Sequence, residues 1–166
     1  MSWVYLDNNC APCSKSGSGI ATLYAQNSYT GGTEVSGGVL KLAADNALAS
    51  VGSLAVSGGE LALGTTSQQV GNLVLSAGVI SGGTLSASDY SLLSGTIATR
   101  LSGAAALTKT GEATVTLTGV NALSGQTQVL GGTLAVSGTG LLSAGTLLLD
   151  GAGASVDLGG SEQTVS

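Results

Sequence analysis

The residues able to do chemistry are few. Cys10 and Cys13 stand in the string CAPC, a spacing that admits a structural disulfide closing a small loop, two free thiols, or redox or metal work. Redox work needs a thiolate of lowered pKa, and no helix pattern follows to lower one. The 166-residue chain has no histidine, so a Ser or Cys nucleophile lacks its ordinary base. Asp150, Asp157 and Glu162 lie close in sequence and invite comparison with a paired-carboxylate glycosidase. An acid held at raised pKa needs an apolar pocket with aromatic walls. Aromatics are 3% of this chain, and the three carboxylates read as a solvated face.

Other motifs are missing. There is no Gly-Gly-x-Gly-x-Asp calcium nonapeptide, no EF-hand spacing and no phosphate-cradling GxxxxGK[ST]. No catalytic, cofactor-binding or metal residue is therefore expected. Thr114, Thr116 and Thr118 form a hydroxyl array of the kind a flat ice-binding face would use, but the equivalent stretch carries Ile20, Thr22 and Tyr24, which breaks the rank. The aromatics Trp3, Tyr5, Tyr24, Tyr29 and Tyr90 would need three on one face to bind sugar, and are expected instead to cover the edges of the fold.

Composition narrows the class. Charged residues are 8% of the chain and hydrophobic ones 43%; low charge with high apolar content argues against disorder. The four cations Lys15, Lys41, Arg100 and Lys109 are scattered, so no basic stripe exists to meet a phosphate backbone, and nucleic acid is not an expected partner. The net charge of −5 favours solubility and weakly repels anionic membranes. No apolar run reaches the ~18 residues a spanning helix needs. MSWVYLDNN lacks the regions of a signal peptide, so any export signal is expected outside this chain.

Elements that could position these side chains come from repetition. KSGSGIATLYAQNSYTGGTEVSGGVLKL from Lys15 aligns without gaps on KTGEATVTLTGVNALSGQTQVLGGTLAV from Lys109, a period of 94 residues. Gly17 matches Gly111, Asn27 matches Asn121, and Gly37-Gly38 matches Gly131-Gly132. Repetition on this scale predicts a stacked array. Within each copy short runs such as IATLYA, ATVTLTG and TLAVSG alternate apolar with small polar residues, which predicts strands with Val115 and Leu117 on one face and the threonines on the other. With so few aromatics the strands are expected to form a parallel β-solenoid, whose narrow core suits Val, Ile and Leu ladders. Gly37-Gly38, Gly58-Gly59, Gly82-Gly83 and Gly131-Gly132 are expected at the corners, and Asn27 and Asn121 as stacked turn residues.

The segments ALTKTGEATVTLTGVNALSGQTQVLGGTLAVSG and KSGSGIATLYAQNSYTGGTEVSGGVLKLAADNAL, with SDYSLLSGTIATRLSGAAALTKTG between them, resemble the passenger-associated strand repeat of autotransporters. The resemblance rests on a Lys-x-Gly start, a Leu-rich strand, an Asn-x-x-x-Gly turn and a Gly-Gly-x-Leu ending. It implies an all-β right-handed parallel β-helix, exported through the periplasm and displayed at the cell surface or secreted. Its partners would be the rest of its own passenger and a C-terminal outer-membrane barrel outside this chain. Self-association is a further possibility, and so is a host or cell-surface ligand. The expected organisation is an N-terminal irregular rung, cap or tag over 1–14, a first copy over 15–108 and a truncated second copy over 109–166, the whole an excised piece of a longer passenger. The expected function is a non-enzymatic stem that folds rung by rung, the alternative an adhesin acting through the solenoid flank.

Overall fold

The computed structural model describes residues 12–137, 142 and 145–159. Cys10, Trp3, Tyr5 and Glu162 lie outside the described residues. The chain winds as a β-solenoid, and about seven turns lead from its first described coil to its last. Coil one holds β1 (Cys13–Lys15) and β2 (Ile20–Leu23), coil two β3 (Thr33–Val35) and β4 (Val39–Leu42), and coil three β5 (Leu54–Val56) and β6 (Glu60–Gln69). Coil four holds β7 (Leu73–Leu75) and β8 (Val79–Ser86), and coil five β9 (Tyr90–Leu92), β10 (Gly95–Ile97) and β11 (Arg100–Gly103). Coil six holds β12 (Leu107–Lys109), β13 (Thr114–Leu117) and β14 (Ala122–Leu123), coil seven β15 (Thr127–Val129) and β16 (Thr133–Val136), and coil eight β17 (Leu147–Leu149) and β18 (Ser155–Asp157).

Two sheets result, each running the length of the stack. The first strand of every coil pairs with the first strand of the next, in the order β1-β3-β5-β7-β9-β12-β15-β17. The second strands make the other wall, β2-β4-β6-β8-β10-β13-β16-β18. The far halves of β6 and β8 continue with β11 and β14 into a short third face. Every ladder is parallel, as expected for a coil that returns to the same wall in the same direction.

Alternation sets the core. In β13 Val115 and Leu117 are buried while Thr114 is exposed and Thr116 half-buried, as the sequence pattern predicts. Leu54, Leu61, Leu73, Ile80, Ile97 and Leu134 are wholly buried in one continuous cluster. Each such side chain contributes roughly 1.5–3 kcal/mol on leaving water. The corners fall where the glycine pairs stand: Gly38, Gly59, Gly82, Gly83 and Gly132 all have positive φ, a region that costs glycine nothing. At Gly59 a Cβ would come within 2.5 Å of the Gly38 carbonyl oxygen of the coil before it, so the corner glycines also let successive coils close up.

The 94-residue repeat is five coils. Cys13 and Leu107, one period apart, occupy equivalent places in coils one and six, linked through Thr33, Leu54, Leu73 and Tyr90. Coil length varies along the way. Leu73, Tyr90 and Leu107 are spaced 17 apart, whereas Thr33 and Leu54 are 21 apart.

Two expectations are corrected. The tyrosines do not all cover edges: Tyr24 is exposed, but Tyr29 and Tyr90 are buried. Tyr90 stands in β9 between Leu73 and Leu107 and places its hydroxyl on the backbone of the third face and the turn that follows it. There it accepts the Ala87 N–H at 3.0 Å and lies 3.0 Å from the Leu85 carbonyl and 2.9 Å from that of Ser102. A ring is tolerated because its one polar atom is satisfied. Asn27 and Asn121 do not stack on each other, because one period separates them by five coils. Asn46 is the non-glycine with positive φ among the described residues.

Burial raises the pKa of the Tyr90 phenol above its ordinary value, the backbone bonds from Ala87 and Ser102 opposing it more weakly. The folded state therefore holds this proton more tightly than the unfolded chain. The resulting stability is complete below the unfolded value near ~10 and is lost as pH rises through the folded value. Wild-type protein is expected to lose more stability than Tyr90→Phe between neutral pH and pH values above ~10, in denaturant melts at each pH. Equal losses in the two proteins would refute the assignment. At neutral pH Tyr90→Phe is expected to cost about 1–3 kcal/mol, since the Ala87 N–H is left without an acceptor.

Candidate functional site

Lysine ends a three-residue strand twice, as CSK in β1 and LTK in β12, and in both it takes the inward place. An ammonium aimed into an aliphatic core costs several kcal/mol unless its protons are all bound. The next two residues supply most of what it needs. Gly17 and Gly111 follow at φ 71° and 72°, turning the chain so that two carbonyls point back at the lysine. Lys15 Nζ donates to the carbonyls of Ser16, Gly17 and Gly37, each at 2.9 Å. Lys109 Nζ donates to those of Thr110 at 2.6 Å, Gly111 at 2.9 Å and Gly131 at 3.0 Å.

The match of donors to acceptors is complete, because an ammonium has three N–H groups. Two acceptors come from the lysine's own turn and the third from the Gly-Gly turn one coil on. Each lysine thus bridges successive coils. Gly38 and Gly132, which follow the third acceptor, have φ of 64° and 62°, and a Cβ at Gly38 would lie 2.6 Å from Lys15 Nζ. Lys15 is 8% exposed and Lys109 0%. Burial lowers the pKa of Lys109 below that of an ordinary lysine, so this group works against Tyr90 at alkaline pH: its contribution to stability rises as pH rises toward the unfolded value. Nothing here makes or breaks a bond. The chemistry is that of a clamp.

Other polar side chains also bridge neighbouring coils. Asn27 Nδ2 donates to the Ala47 carbonyl at 2.7 Å, and Asn121 Oδ1 accepts the Leu101 N–H at 3.0 Å. Gln68, buried on the third face, accepts the Leu48 N–H at 3.2 Å and donates to the Ala44 carbonyl at 2.8 Å.

The candidates from sequence fall elsewhere. Cys13 opens β1, buried against Tyr29 and Ala49, while Cys10 is outside the described residues, so their pairing stays an expectation. Asp150 and Asp157 are exposed in the last coil, as a solvated face requires. Thr116 sits in register with Thr96 and Thr114 with Thr133, but Val79 and Ala135 end the Thr96–Thr116 rank after two coils. Among the described residues no group of three His, Cys, Asp or Glu could hold a metal, and no helix is long and apolar enough to cross a membrane.

The lysines were legible only as scattered cations and as the start of a motif. A stronger signal was present. A lysine at the inward parity of a strand, followed 22 residues later by the first of two glycines, occurs at 15 and 37 and again at 109 and 131.

Comparison of the chain with curated proteins and with solved structures returned no match to either. The family profile of the passenger-associated-transport-repeat matches twice, over 14–42 and 107–136. Each match opens on a lysine strand and closes with the second strand of the following coil, so the family's repeat corresponds here to two coils joined by one lysine clamp. Residues 14–42 and 107–136 thus match the passenger-associated-transport-repeat, in agreement with the resemblance of these two segments to the repeat of autotransporter passengers.

Proposed function

We propose that the chain is a structural stem of an autotransporter passenger, which folds coil by coil after export, holds a distal functional region away from the cell surface, and draws the following chain outward as it folds. The supporting observation is the pairing pattern: strand ladders join neighbouring coils, and the clamps within both family repeats do the same. Stability is then close to a sum over coils and the contacts between them, and folding can spread from whichever end is free. Short loops between partners keep the closure cost low. The work done on the chain comes from burial of aliphatic ranks rather than from a bound nucleotide. Its partners in this reading are the rest of its own passenger and a C-terminal outer-membrane barrel.

Sedimentation velocity over a concentration series, with circular dichroism on the same samples, tests the stem reading. An elongated β-rich monomer at all concentrations is the expected result. A reversible dimer would instead move the function onto the solenoid flank, as a surface for adhesion or self-association.

A further inference from the structure

A buried face fixes which residues of a parallel ladder point inward, but like aliphatic residues do not by themselves choose which inward residue faces which. A slip of one residue exchanges the inner and outer faces, but a slip of two keeps every inward residue inward. The second wall of this solenoid contains such a displacement. Its rank from Ala21 runs through Leu40, Leu61, Ile80 and Ile97 to Leu117. The repeat equivalent of Ala21 is Val115, two residues earlier, and Val115 faces Gly95 instead. Over one five-coil period that wall has moved by two residues, and its core remains closed, with Ile97 and Val115 both wholly buried.

The first wall has not moved. Its rank leaves Lys15, passes Val35, Val56, Leu75 and Leu92, and arrives at Lys109, the repeat equivalent of its start. Two steps of the first wall, β1 to β3 and β12 to β15, carry a contact that no aliphatic pair provides, the lysine clamp. A two-residue slip of β15 along β12 would carry the Gly131 carbonyl about 6–7 Å from its place 3.0 Å from Lys109 Nζ. It would leave a buried ammonium short of one acceptor, whereas the aliphatic residues would merely exchange neighbours.

We infer that Lys15 and Lys109 are register locks: each selects, among the pairings its apolar rank would accept, the one that seats the next coil's Gly-Gly turn against its own turn. Each lock acts on one step, the pairing of its own coil with the next. The inference rests on the solenoid itself and not on the secretion role, so either can fail without the other.

Disulfide trapping tests it. Thr108 and Gln128 are in register and face outward, and Leu130 is the next outward residue. Thr108→Cys with Gln128→Cys reports the native pairing, and Thr108→Cys with Leu130→Cys reports the slip, with crosslinks mapped by peptide mass spectrometry to separate them from the native thiols. With Lys109 present, the native pair alone is expected to link. In Lys109→Met, where an apolar chain of similar length fills the site, the slipped pair is expected to link as well, with a matching loss from the native pair. A variant that links only the native pair would overturn the inference. If Lys109→Met does not fold by circular dichroism, Lys15→Met is read in the same way, with Ser14→Cys paired to Glu34→Cys or to Ser36→Cys. Failure of both variants to fold would also overturn it, since the lysines would then be required for folding rather than for choice of register.

Discussion

Lys109→Ala is expected to destabilise coils six and seven by about 3 kcal/mol, through the cavity left by the missing side chain and the loss of hydrogen bonds to three carbonyls. The site allows little relief, because Lys109 is 0% exposed and the Gly131 carbonyl that it holds lies at a corner between coils. Lys109→Met is expected to recover most of that loss, since well-packed apolar replacements of buried charges are often neutral. The pair of variants therefore separates filling of the site from binding by it. Hydrogen exchange is the appropriate readout, and the increase is expected in β12, β13 and β15 with little change in coils one to three. An increase spread evenly over all coils would contradict the local character of the clamp.

Leu117→Asp should be more severe. Leu117 is 1% exposed and stands between Ile97 and Val136 in the rank. A carboxylate there has no cation within the rank and must either protonate or take water into the core, at a cost of about 4 kcal/mol or more. In a globular domain such a loss would unfold everything. In a stack whose coils touch only their neighbours it should divide the chain. Limited proteolysis is expected to leave a resistant fragment spanning coils one to five and to digest the part beyond β11. Uniform digestion of the whole chain would show that the coils fold as one cooperative unit.

Much of this architecture can be read from alternation and repetition. IATL and TVTL declare strands with one apolar face, and the glycine pairs mark corners because few other residues take those φ values readily. The alignment of Lys15 on Lys109 reveals a period, but not that the period is five coils. The three coils after the first clamped pair carry Val56, Leu75 and Leu92 in the lysine's place and vary in length, so their kinship is written in shape rather than in residue type. The burial of Tyr90 is hidden from the sequence for a related reason: it depends on backbone acceptors from Leu85 and Ser102, which become neighbours only when coils four and five stack. The clamp itself was half visible. The Lys-x-Gly and Gly-Gly strings stood out as a motif, yet the contact between them is made in space, across a whole coil.

In the proposed function, stacking of these coils outside the cell displays the passenger and helps to draw it out. This claim is tested most directly by measuring surface display of the parent passenger, with its own outer-membrane barrel, carrying Leu117→Asp, the barrel being quantified in the same membranes. The predicted result is a barrel at its normal level with displayed passenger sharply reduced, because the advancing stack cannot pass coil six. Display unchanged from the unmodified protein would contradict the claim, and would leave this solenoid as cargo that is exported without taking part in its own export.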